Sequence, residues 1–75
     1  MEIEERIRKD IGIFSDNIKK VRTEKLNDKE KEVMELAKMY AQDAASWLEK
    51  KDYHTSFSSI AYAHGLLDAI LKIEG

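Results

Sequence analysis

Cysteine and proline are both absent from this 75-residue chain, and only three glycines interrupt it. Without cysteine there is no disulfide, no thiolate zinc site and no thiol nucleophile. Without proline, and with so little glycine, the usual breakers of long helices are missing. No apolar run approaches the roughly 18 residues that a membrane span needs. No segment concentrates charge of one sign. The net charge of −2 is spread as +1 over residues 1–22, −1 over 23–51 and −2 over 52–75. A phosphate backbone requires a basic stripe, so a dedicated nucleic-acid binder is not expected. Met1 to Lys9 is charged throughout, unlike a secretory signal, and cytoplasmic residence is the expectation.

What is present is helical. Lys and Glu, both good helix formers, supply most of the 37% charged residues. Ile3, Ile7, Ile11, Phe14, Ile18 and Val21 recur at steps of four and three, which predicts a helix over about 3–22. Glu2, Glu4 and Glu5 open it, while Lys19, Lys20 and Arg22 close it, a polarity that suits the helix dipole. Asn27 followed by Glu30 reads as a capping box starting a second helix over about 28–50. Its expected buried stripe is Val33, Leu36, Ala37, Tyr40, Ala41, Ala44, Trp47 and Leu48. Asp52 reads as the next cap, starting a third helix over about 53–72. Its expected core stripe is Tyr53, Phe57, Ile60, His64, Leu67 and Leu71, and Gly65 within it suggests close helix packing. A link of two or three residues forces helix three antiparallel to helix two. The chain therefore reads as one all-α domain, 1–75, an antiparallel up-and-down three-helix bundle.

Helix three has a second apolar stripe, Tyr62, Leu66, Ala69 and Ile73, roughly 160° from the first on a helical wheel. Tyr53 to Leu67 also carries no formal charge, counting His as neutral. One reading is that this stripe widens the core face. The other is that it meets a second copy or another protein.

Polar residues converge elsewhere. Leu36, Tyr40, Asp43 and Trp47 follow one seam of helix two, and His64 and Asp68 form an i, i+4 pair on helix three. Tyr40, Asp43, Trp47, His64 and Asp68 thus form a candidate polar seam. Such a seam suits a buried imidazole satisfied by a carboxylate, which fixes helix register. It also suits an acid–base pair, but no nucleophile or oxyanion donor accompanies it. His54 and His64 lie roughly 15 Å apart along one helix, too far to share an ion. No Glu-x-x-His pattern of the helical di-metal kind is present. No metal, cofactor or catalytic residue is expected.

Tyr40-Ala41-Gln42-Asp43-Ala44, Leu48-Glu49-Lys50-Lys51-Asp52-Tyr53 and Ile60-Ala61-Tyr62-Ala63-His64-Gly65-Leu66-Leu67-Asp68-Ala69 strongly resemble an archaeal family of uncharacterised proteins, domain of unknown function 357. The resemblance covers helices two and three. It implies a short three-helix bundle, sometimes free-standing and sometimes appended to a nucleotidyltransferase-like domain, with no established activity. It marks Tyr40, Asp43, Tyr62, His64 and Asp68 for attention. Two positions depart from the family pattern: Lys51 where Gly is expected and Ser56 where Ala is expected. The helix pair is also a little similar to tetratricopeptide hairpins and to HEPN ribonuclease domains. The latter pair an Arg with a His a few residues later, whereas the last Arg here is Arg22. The expected function is a non-enzymatic interaction or assembly module, acting through helix three on a second copy or a protein partner. The alternative is an accessory domain binding a small ligand or nucleotide at Tyr40, Asp43, His64 and Asp68.

Overall fold

A computed structural model describes residues 2–74. Helix α1 spans Glu2–Ile18, a single 3₁₀ turn spans Thr23–Lys25, α2 spans Asp28–Glu49 and α3 spans Tyr53–Glu74. Two cross-helix pairs set the direction of α1. Tyr53 meets Glu4 and His64 meets Asp10, so α1 runs parallel to α3. Ser56 meets Ala44, and Ile70 clusters with Met34, so α2 runs antiparallel to α3. The result is an up-down-up bundle, 39 × 17 × 14 Å. Its long dimension matches a 22-residue helix of about 33 Å. The main contact is between α2 and α3, and α1 rests chiefly on α3.

Local chemistry explains both starts and the turn. Asn27 accepts from the Glu30 amide at 2.8 Å, and its own amide donates to the Glu30 carboxylate at 2.9 Å, closing the expected capping box. Asp52 accepts from the Thr55 amide at 3.1 Å and from the Thr55 hydroxyl at 2.9 Å. Between these helices, the Lys51 amide donates to the Leu48 carbonyl and the Asp52 amide to the Trp47 carbonyl, each at 3.0 Å. This pair of bonds is the Schellman arrangement, which needs a left-handed residue just past the helix end. Lys51 occupies it with φ of 64°. A glycine would sit there without the Cβ clash that Lys51 carries.

Helix α1 ends four residues earlier than periodicity predicts, at Ile18 rather than Arg22. The bonds tighten to Lys20 N–H on the Asn17 carbonyl and Val21 N–H on the Ile18 carbonyl, and the chain then turns. The turn delivers Leu26 into a small core with Met34 and Ile70, where Ile18 and Val21 also pack. Burying a Leu side chain contributes about 2 kcal/mol, more than continued helix at an exposed Lys-rich end would.

The main core is Phe14, Ala37, Ala44, Ile60, Ala63 and Leu67. The expected stripes are turned slightly in the fold. On α3 the fully buried positions are Ser56, Ile60, Ala63, Leu67 and Ile70, while Tyr53, Phe57, His64 and Leu71 are half-buried. Because α2 is the larger neighbour, α3 rotates its small residues toward it. Ser56 uses this closeness: its hydroxyl donates to the Ala44 carbonyl at 2.6 Å, a bond that alanine there would lack. On α2, Met34 is buried, whereas Leu36 and Trp47 lie 38% and 37% exposed. Ile3 on α1 is likewise exposed. Gly65 is not a packing point within the chain. It is exposed, and a Cβ built on it meets nothing within 4 Å, so mid-helix glycine costs about 1 kcal/mol there relative to alanine.

Candidate functional site

The five residues of the expected polar seam fall on two sides of α3. Tyr62 and His64 are two residues apart, about 200° around the helix, and the seam divides there. Tyr40 is half-buried and stands edge-on to Tyr62, ring centroids 4.6 Å apart. Trp47 lies on the same flank of α2, with the Lys50 ammonium 4.8 Å from its ring centroid. Asp43, between them in sequence, is exposed.

His64 points the other way, to α1. Its Nε2 lies 2.8 Å from the Asp10 carbonyl oxygen. A carbonyl only accepts, so Nε2 carries the proton and donates. The ring also meets Phe14 edge-on, centroids 5.8 Å apart. Asp68 is exposed and does not take the expected role of His64's partner. The reason is geometric. His64 sits on the α1 side of α3, and a fixed carbonyl on the neighbouring helix meets the half-buried ring. Asp68, one turn on, remains in water. His64 therefore ties α1 to α3. A second tie lies nearer the start of both helices. The Tyr53 hydroxyl donates to Glu4 Oε1 at 2.9 Å, and Arg8 stands 3.7 Å from the same carboxylate. The hydrogen bond to Glu4 raises the Tyr53 pKa above its ordinary value, helped by partial desolvation and by the Glu4 charge.

No group of three or more His, Asp and Glu side chains among the described residues is arranged to hold a metal ion. An apolar groove of about 360 Å³ runs between α1 and α2 and is lined by Ile11, Phe14, Ile18, Ala41 and Ala45 among others. None of the five seam residues lines it. It exists because Ala41 and Ala45 are too small to fill the gap to α1.

The four residues of the second candidate, Tyr62, Leu66, Ala69 and Ile73, share one face of α3. Tyr62 is 50% and Ile73 67% exposed, and Ala69 is exposed. Leu66 is half-buried and packs against the main core. Ala69 and Ile73 line a shallow depression of about 210 Å³ with Val33 of α2. Tyr62 continues the surface onto Tyr40. Leu36 and Trp47, assigned to the core by periodicity, add to the exposed apolar area of the same two helices. Only the side-chain exposure of the folded chain separates them from true core positions. No helix of the described residues is long and apolar enough to cross a membrane.

None of the curated proteins matches this chain. A family model does, over residues 9–74, which takes in the second half of α1 as well as all of α2 and α3. The chain belongs to the family described as "Protein of unknown function (DUF357)".

Proposed function

We propose that this protein is a non-enzymatic assembly module that self-associates through the outward apolar surface of α3 and the adjoining flank of α2. One observation carries the reading. Of the seven large hydrophobic side chains exposed among the described residues, Leu36, Met39, Trp47, Tyr62 and Ile73 are on α2 and α3, and only Ile3 and Ile13 are on α1. Singly scattered apolar residues mean little, but Tyr62 and Ile73 stand on the charge-poor α3, and Tyr62 packs edge-on against Tyr40 of α2, so apolar side chains of the two helices adjoin there and mark an interaction surface. The ligand-binding alternative gains no support, because Tyr40 and Asp43 do not share a side of the bundle with His64. We place the module in the cytoplasm. The family resemblance suggests an archaeal source.

Light scattering across a concentration series is the test. The wild-type mass rises above the 8.7 kDa of one chain. Tyr62→Glu with Ile73→Glu returns it to one chain while the helical circular dichroism persists. Leu66→Glu is the poorer probe, since Leu66 also touches the core. Association that survives the double substitution, or a wild-type mass of one chain throughout, refutes the reading.

A further inference from the structure

We infer that the surface α3 docks against is α3 of a second copy, laid antiparallel about a two-fold axis beside Gly65; this rests on the assembly reading and adds partner direction and register to it. Charge selects the direction in which that copy lies. Between Tyr53 and Ile73, α3 carries only two formally charged residues, Asp68 and Lys72, and both are exposed. In a two-fold interface, residue i faces residue j and j faces i. A parallel pair of α3 helices sets Asp68 beside the partner's Asp68 and Lys72 beside the partner's Lys72, which repel. An antiparallel pair centred on Gly65 sets Asp68 opposite the partner's Tyr62 and Lys72 opposite the partner's Ser58. Each charge then meets a hydroxyl, and Tyr62 and Ser58 are both exposed to offer one.

The same register accounts for Gly65. Ala61, Gly65 and Ala69 form one row at four-residue spacing, all exposed. Antiparallel about Gly65, Ala61 faces the partner's Ala69, and the crossing falls on the glycine. Small side chains let helix axes approach closely, and nothing in this chain uses the space Gly65 leaves. Area agrees as well. The long face measures 39 by 17 Å, so a copy laid along it covers roughly 600–700 Å² per chain, near the ~800 Å² per partner of a standard stable interface.

The chain has no cysteine, so introduced thiols report register directly. A disulfide needs Cα atoms within about 7 Å. Under mild oxidation, Ala61→Cys chains mixed with Ala69→Cys chains give a disulfide-linked mixed dimer, and neither variant links efficiently to itself. Gly65→Leu, whose Cβ enters open space in the single chain, keeps its helical circular dichroism and weakens association at least tenfold. Self-linking of each cysteine variant signals a parallel pair and overturns the inference. So does a Gly65→Leu protein that associates normally while Tyr62→Glu with Ile73→Glu does not; the assembly reading then stands with a different register or partner helix. A wild-type protein that stays single at every concentration overturns both.

Discussion

Lys51→Gly is the most direct probe of how the α2–α3 turn is built. Lys51 holds φ of 64° and is exposed. Its amide closes one bond of the turn and the next amide closes the other. A residue with a Cβ in this conformation costs about 1–2 kcal/mol. Glycine removes that cost but loses about 0.5–1 kcal/mol more than other residues through chain entropy. The difference favours Lys51→Gly by about 1 kcal/mol. For a domain of this size that is a rise of about 4–8 °C in Tm. Thermal unfolding followed by circular dichroism reads it, at one fixed protein concentration because association shifts Tm. Lys51→Ala is the control: it removes the long side chain, keeps the Cβ and leaves the strain in place. If Lys51→Gly melts at or below the wild-type temperature, or if Lys51→Ala gains as much, the strain is not at this φ and the account of the turn is wrong.

His64→Ala removes the bond to the Asp10 carbonyl and the edge contact with Phe14, a loss of about 2 kcal/mol. Hydrogen exchange should show α1 amides losing more protection than α3 amides, and equal loss in both helices would refute the tie. Asp68→Asn, measured dilute enough to keep single chains, changes stability by less than about 0.5 kcal/mol; a larger loss would show that Asp68 supports His64 after all. Ser56→Ala costs about 1 kcal/mol in urea unfolding through the lost bond to Ala44, and a gain in stability would mean that this buried bond has no net value. The Tyr53 pKa is raised, so the folded state favours the neutral phenol. Its contribution is therefore complete below the ordinary tyrosine pKa near 10 and is lost as pH rises through the higher folded value. Ultraviolet titration should find Tyr53 ionising above ordinary tyrosine, and Glu4→Ala should bring it back down; no difference between the two proteins would remove the Glu4 bond from the account.

The parts legible in the sequence are those decided within a few residues. The Asn27–Glu30 box, the Asp52 cap and the short link between α2 and α3 each depend on neighbours three or four positions away. Apolar spacing likewise reveals three helices, because a helix must bury one side whatever packs on it. The end of α1 was not legible. It depends on Leu26 reaching Met34 and Ile70, which are 8 and 44 residues further along the chain. The candidate interface was legible as a second stripe on α3, but its extension over Leu36, Tyr40 and Trp47 was not. Those positions read as core until the placement of α1 on the other side leaves that flank of α2 uncovered.

The polar seam shows the boundary most sharply. Spacing alone makes Asp68 the natural partner of His64, since i and i+4 are neighbours on any helix. Residue types and period determined that α3 would carry a histidine in its apolar stripe, a glycine in its middle and almost no charge. Only the tertiary structure decided what each of these meets. Helix α1 lies on the His64 side and presents the Asp10 carbonyl, so the imidazole bonds across the bundle. No helix lies over Gly65, so its row is left open. Periodicity specifies which side of a helix is apolar to within a few tens of degrees. Which neighbour stands at each angle is set by how all three helices bury their stripes together.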